Sequence, residues 1–138
     1  MLQTGLLGTG YGAEVFAPAF RNNQFFKLTS VFSGDSKRAK SVRKSLGCKK
    51  SYDNWAQLIE DGDPDLVCIA TPVYTHYEIA KYALENNKHV ILAAPFALRV
   101  DEALELADLA GRKNLLGVVA HHLNFFPARK YITHLIKN

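Results

Sequence analysis

The chain has 138 residues, a hydrophobic content of 48% and a formal net charge of +4. This length and composition predict one globular domain with a single core and argue against a disordered chain. No apolar run approaches the roughly 20 residues that a transmembrane helix needs, and the first residues lack the pattern of a secretory signal, so we expect a cytoplasmic protein without a membrane partner. The two cysteines, Cys48 and Cys68, are too few for a disulfide framework, and Cys68 is predicted to be a buried thiol.

The first half of the chain alternates strand and helix patterns. The predicted strands cover residues 4–7, 26–32 and 50–52, and the predicted helices cover residues 11–22, residues 36–46 and a segment after residue 53. Pro18 is expected to break or kink the first helix because it lacks a backbone N–H. Gly47 is expected to end the second helix, and Asp53 to cap the third.

The second half repeats the alternation more clearly. Strands are predicted over residues 65–70, 89–92 and 115–120, and helices over residues 75–87, residues 101–112 and from residue 127 onward. Strands separated by helices of roughly 10–15 residues form right-handed βαβ units. The sequence therefore predicts an α/β fold of the Rossmann type, with a doubly wound parallel sheet of about six strands in a three-layer α/β/α arrangement.

A glycine-rich segment follows the first predicted strand. Its residues, Gly8, Thr9, Gly10, Tyr11, Gly12 and Ala13, match the pattern G-x-G-x-x-G/A. The first glycine permits a tight turn, the second lets a pyrophosphate approach the backbone, and the third lets helix and strand pack closely. Helix N-terminal amides would then face the anion, which predicts a dinucleotide-binding site.

The end of the second strand indicates which dinucleotide binds. Ser33 and Gly34 are followed by Asp35, and Lys37 and Arg38 come soon after. A small hydroxyl with two cations favours the 2′-phosphate of NADP, whereas an acid that bonds the ribose favours NAD. We expect NADP, with NAD as the alternative because Asp35 could reach the ribose.

Seven lysines and arginines lie between Asp35 and Asp53, a segment that contains no acid. They could form a solvated helix face, a phosphate site or a nucleic-acid surface. The segment 37–50 contains no aromatic residue on which bases could stack, so no nucleic-acid partner is expected.

Two further segments resemble the glucose–fructose oxidoreductase/inositol dehydrogenase (Gfo/Idh/MocA) family. They are Ala70–His76, which reads A-T-P-V-Y-T-H, and Asn87–Val90, which a strand and Pro95–Ala97 follow. The resemblance covers nearly the whole chain together with the glycine-rich loop. It implies that Thr71, Pro72, Tyr74 and His76 line the nicotinamide end of the cofactor, and that Ala93 belongs to the cofactor site.

The resemblance also implies a second domain. Residues 1–120 are expected to form the NAD(P)-binding domain, and residues 121–138 the start of a C-terminal substrate and oligomerisation domain. In that family the second domain binds a sugar, polyol or related substrate and builds a homo-oligomer. The final helix pattern has no C-terminal cap, so we expect that this domain continues beyond the sequence.

The sequence departs from the family at the chemical centre. The family has Glu-Lys-Pro after the fifth strand, where this chain has Ala93, Ala94 and Pro95, and its later asparagine–aromatic–arginine run is altered around His122. A methyl group cannot exchange a proton, so Ala94 cannot act as a general acid or base. No catalytic residue and no metal site are predicted.

Two functions remain open at this point. One is an NAD(P)-dependent oxidoreductase that acts on a sugar-like hydroxyl or carbonyl. The other is a non-catalytic dinucleotide-binding sensor or regulator derived from the same family, which the loss of the lysine at Ala94 favours.

Overall fold

The computed structural model describes residues 1–137, apart from the side chain of Lys130. A sheet of six parallel strands has the order β3-β2-β1-β4-β5-β6. The strands are β1 (Leu2–Leu7), β2 (Phe26–Phe32), β3 (Lys50–Tyr52), β4 (Leu66–Ile69), β5 (His89–Ala93) and β6 (Gly117–Ala120). The strand order reverses between β1 and β4, and a crevice therefore opens at the carboxyl ends of these strands.

Helices cover both faces of the sheet. They are α1 (Ala17–Arg21), α2 (Ser36–Leu46), α3 (Trp55–Asp61), α4 (His76–Glu85), α5 (Val100–Arg112) and α6 (Pro127–Lys137), with 3-10 turns at Val73–Thr75 and His122–Phe125. Buried side chains form two clusters. Leu6 and Cys68 pack with α1 on one face, and Leu7 and Ile69 pack with α3, α4 and α5 on the other. This alternation along strands that are buried on both faces confirms the predicted three-layer Rossmann fold.

The first helical segment changes its winding where proline was expected to disturb it. Residues Gly12–Phe16 form a π-helical turn, and α1 continues from Ala17 with Pro18 in its first turn. Because Pro18 has no N–H, it cannot donate the usual bond to the carbonyl of Glu14.

The cap of α3 differs from the prediction by one residue. Asn54, and not Asp53, caps the helix, since its Oδ1 accepts hydrogen bonds from the N–H of Ala56 at 2.9 Å and of Gln57 at 3.4 Å. Both residues are short polar N-cap formers, and sequence alone does not show which one faces the first turn.

We expect Asn54→Ala to lower the free energy of unfolding by about 1 kcal/mol, because it leaves two amides at the helix start without a side-chain acceptor. Chemical denaturation would measure the loss. Asp53→Ala is the control and should change stability much less. Equal losses in the two variants would contradict the assignment of the cap to Asn54.

Candidate dinucleotide-binding site

The glycine-rich loop lies where β1 enters the crevice, and its three glycines meet different surroundings. Gly8 has a φ of 110°, and a Cβ on it would lie 2.3 Å from the carbonyl oxygen of Ala70. Gly12 is buried, and a Cβ there would lie 3.1 Å from Leu6 Cδ1 and 3.2 Å from Ala70 Cβ. A Cβ on Gly10 would face open space, with the guanidinium of Arg38 nearest at 4.0 Å. Gly10 is thus the position at which a ligand could approach the backbone.

A cavity of about 540 Å³ opens beside this loop, and we call it the glycine-loop cavity. It brings together eight residues of the predicted site, namely Gly8, Thr9, Gly10, Ser33, Gly34, Arg38, Thr71 and Pro72. Phe32, Asp35 and Ala70 also line it. The lining therefore comes from the carboxyl ends of β1, β2 and β4, which is where Rossmann folds bind nucleotides.

Polar contacts across the glycine-loop cavity join the first two strand ends. The Thr9 hydroxyl donates to Ser33 Oγ at 3.2 Å, and Arg38 Nη2 donates to the carbonyl of Thr9 at 3.2 Å. The side chain of Arg38 therefore reaches over the loop. Lys37 is exposed and does not line this cavity, whereas its neighbour Arg38 does. Of the two predicted phosphate-binding cations, the structure places only Arg38 at the cavity.

Asp35 has a local role at the start of α2. Its Oδ1 accepts hydrogen bonds from the backbone N–H of Lys37 at 2.8 Å and of Arg38 at 3.2 Å, as an N-cap residue does. The helix ends at Gly47, which has a φ of 69° and confirms the predicted C-terminal cap. One oxygen of the Asp35 carboxylate therefore bonds the start of α2, while the residue also lines the glycine-loop cavity.

A second cavity of about 360 Å³ lies beyond the glycine-rich loop, and we call it the Tyr11 cavity. Its lining residues are Tyr11, Ala70, Thr71, Val73, His76, Ala93, Ala94, Pro95 and His122. Four of these belong to the predicted site, whereas Tyr74 lines neither cavity and is 73% exposed. Because Ala70 and Thr71 line both cavities, the two are adjacent.

His76 lines the Tyr11 cavity but has both ring nitrogens near backbone carbonyls. The side chain is 2% exposed, and its Nε2 lies 2.8 Å from the oxygen of Thr71, while Nδ1 lies 3.1 Å from that of Pro95. The ring is consequently part of the cavity wall.

The ionisable side chains that line the Tyr11 cavity are Tyr11, His76 and His122. The hydroxyl of Tyr11 lies 3.4 Å from His122 Nδ1, and both side chains are exposed. Ala94 presents only a methyl group at this point. Sequence reasoning did not include His122 in the site, although the altered segment after β6 was a signal that could have identified it.

Neither cysteine is suited to nucleophilic chemistry. Burial raises the pKa of the Cys48 thiol to about 11, and it raises the pKa of Cys68 still further, so both thiols stay protonated near neutral pH. Cys68 has no exposed surface, which confirms the predicted buried thiol.

The described residues contain neither a metal-binding group nor a membrane-spanning helix. No set of three or more His, Cys, Asp or Glu side chains within residues 1–137 is placed to hold a metal ion. No helix in the same range is long and apolar enough to cross a bilayer. A further cavity, of about 350 Å³ between α5 and the strands β5 and β6, has no ionisable residue in its lining and is a poor match for a dinucleotide.

Comparison with known proteins gives a consistent result. A family model described as an oxidoreductase family with an NAD-binding Rossmann fold matches residues 2–121. An uncharacterised oxidoreductase of Synechocystis sp. is 34% identical over 135 residues, which are 98% of this chain and 36% of that protein.

Two solved structures superpose over 99% of the chain. One is biliverdin reductase from Synechocystis sp. PCC 6803 in complex with biliverdin and NADP+, with 31% identity, a TM-score of 0.91 and 43% of its chain covered. The other is scyllo-inositol dehydrogenase from Lactobacillus casei with bound NAD(H), which at 21% identity, a TM-score of 0.87 and 41% coverage is similar in fold alone. The chain spans about two fifths of the length of each.

Proposed function

Because this chain belongs to the Gfo/Idh/MocA family of oxidoreductases and forms its NAD-binding Rossmann domain, we propose that it binds NADP(H), in preference to NAD(H), for hydride transfer. The substrate carbon bears a hydroxyl or carbonyl group of a sugar, polyol or related compound. The nicotinamide supplies the hydride chemistry, and the protein supplies binding and orientation. Nothing in the comparisons favours a non-catalytic sensor, and we do not propose one.

The fit of the chain to a dinucleotide is supported by the open space at Gly10. A side chain at this position would fill the approach to the backbone, and the glycine leaves that approach free. The pyrophosphate binds here, with the adenosine in the glycine-loop cavity and the nicotinamide in the Tyr11 cavity. Thr71, Pro72, His76 and Ala93 belong to the nicotinamide side.

The positions of two side chains, Asp35 and Arg38, support the proposed preference for NADP(H). Asp35, the acid that could bond a ribose, caps α2, while Arg38 reaches over the glycine-rich loop. A guanidinium matches the geometry of a phosphate and binds it through charge-assisted hydrogen bonds. Ser33 adds a hydroxyl beside it.

The position of the family lysine is occupied by Ala94, so proton transfer falls to another group. Within the described residues we assign no catalytic residue. We propose residues 1–120 as the nucleotide domain and residues 121–138 as the start of a substrate and oligomerisation domain. We also propose a homo-oligomeric protein in the cytoplasm, without a nucleic-acid partner.

Arg38→Ala is expected to lower the affinity for NADPH by about 10–100-fold and to leave the affinity for NADH nearly unchanged, because one charge-assisted contact to the 2′-phosphate is lost. Fluorescence titration with both cofactors at one fixed ionic strength measures the two affinities. Lys37→Ala, which removes a neighbouring cation that does not line the cavity, is the control and should have a smaller effect.

If the unmodified chain binds NADH as tightly as NADPH, the proposed preference is wrong. That result would mean that Asp35 bonds the ribose.

A further inference from the structure

The ring of His76 lies between the loops that follow two neighbouring strands, β4 and β5. Strands β4 and β5 are paired as far as Ile69 and Leu92. Beyond this pair, no backbone–backbone hydrogen bond within the described residues links the segment 70–75 with the segment 94–99. In the described part of the chain, the side-chain contact that bridges these segments is the one from His76 Nδ1 to the carbonyl oxygen of Pro95 at 3.1 Å, while Nε2 lies 2.8 Å from the carbonyl oxygen of Thr71 on the side of the first loop.

The two bridged loops form two adjoining walls of the Tyr11 cavity. Thr71 and Val73 line it from the loop after β4, and Ala94 and Pro95 line it from the loop after β5. The first loop is also closed locally, because the hydroxyls of Thr71 and Thr75 lie 2.7 Å apart and Thr75 Oγ1 donates to the carbonyl of Pro72 at 2.7 Å. His76 therefore connects this locally closed first loop to the loop after β5.

Histidine suits this connection because its two ring nitrogens lie on different sides of a rigid ring. Both partners are carbonyl oxygens, which accept and cannot donate. A neutral ring donates to one of them, and the bond that joins the two loops is the one from Nδ1–H to Pro95; a protonated ring donates to both. A glutamine retains an N–H donor, whereas a phenylalanine retains a planar ring but no donor.

We propose that His76 is a positioning residue that fixes the separation of these two walls and so shapes the slot for the nicotinamide ring. The proposal rests on the proposed function, since it takes the Tyr11 cavity as the nicotinamide site. His76 acts through the carbonyl oxygens of Thr71 and Pro95, and its ring nitrogens are not available to the cofactor.

The test compares two ligands, one with and one without the nicotinamide end of the cofactor. NADPH probes both cavities, and 2′,5′-ADP probes the glycine-loop cavity alone because it lacks the nicotinamide. His76→Phe should lower the affinity for NADPH about tenfold, as loss of one buried hydrogen bond predicts, and should change the affinity for 2′,5′-ADP less than about twofold. His76→Gln should recover part of the loss.

His89→Phe is the matched control. His89 is the first residue of β5, at the amino-terminal ends of the strands and so away from the crevice, and its Nδ1 accepts a hydrogen bond from the N–H of Leu116 at 3.0 Å. This variant also removes a histidine hydrogen bond and should leave the ratio of the two affinities unchanged. An unchanged ratio in His76→Phe would overturn the proposal, whereas failure of the unmodified chain to bind either probe would overturn the proposed function instead.

A second measurement on the unmodified chain covers the case in which His76→Phe does not fold. Histidine-labelled protein should show a slowly exchanging ring N–H for His76 in its NMR spectrum, because the ring is buried and bonded. This signal should shift when NADPH is added and stay in place with 2′,5′-ADP. A signal that responds equally to both probes, or to neither, would contradict a positioning role at the nicotinamide end.

Discussion

Substitution of Gly10 by valine is expected to weaken NADPH binding by more than about 100-fold while the domain remains folded, because the new side chain occupies the path of the pyrophosphate to the backbone. The structure explains why folding should survive. Gly10 does not have the positive φ of Gly8, and a Cβ there would meet nothing closer than Arg38 at 4.0 Å. The lost affinity would therefore report on the ligand and not on the fold.

Fluorescence titration with NADPH, together with thermal melting followed by circular dichroism, would test this expectation. Gly111→Val provides the matched control, since Gly111 lies in α5 outside both cavities and a Cβ there also has no neighbour within 4 Å. Normal binding of NADPH by the folded Gly10 variant would show that the loop is a structural turn only.

Gly8→Ala is expected to have the opposite effect and to lower the free energy of unfolding by roughly 2–4 kcal/mol, through backbone strain and steric overlap together. Its φ of 110° is unfavourable for a residue with a Cβ, and that Cβ would lie 2.3 Å from the carbonyl oxygen of Ala70. Relief of the overlap would require β1 and β4 to separate where the crevice begins.

Urea denaturation measures this loss, and Gly47→Ala separates its two causes. Gly47 also has a positive φ, of 69°, but a Cβ there has no neighbour within 4 Å. Its substitution should therefore cost only the backbone strain, roughly 1–2 kcal/mol. If both variants lose the same stability, the contact with Ala70 contributes nothing.

The sequence predicts the layers of this fold well because the relevant signals are local. Strands such as β4 are short apolar runs, and each run is followed by residues that favour turns. Gly47 ends α2 because glycine readily adopts the left-handed backbone conformation found there. The glycine-rich loop is equally local, so its position after β1 follows from a few adjacent residues. The cap of α3 was misplaced because Asp53 and Asn54 are chemically similar neighbours.

The shape of the nicotinamide side could not be predicted in the same way. The contact between Tyr11 and His122 joins residues that are 111 positions apart, and the bridging role of His76 depends on carbonyls in two different loops. Tyr74 lies within a segment of which five members line the cavities, namely Ala70, Thr71, Pro72, Val73 and His76, yet its side chain is 73% exposed. These features depend on how the loops after the strands are packed, which periodicity does not encode.

The capping role of Asp35 makes cofactor choice and helix stability thermodynamically linked quantities. A ligand whose ribose bonds Oδ1 of Asp35 competes with the amides of Lys37 and Arg38 at the start of α2, whereas one that bonds Oδ2 leaves the cap in place. Loss of such a cap costs about 1 kcal/mol, which corresponds to roughly a fivefold change in affinity. A ribose that displaces the cap would therefore bind about fivefold more weakly than one that leaves it in place, and the stability of α2 in the bound state would report which oxygen of Asp35 is used.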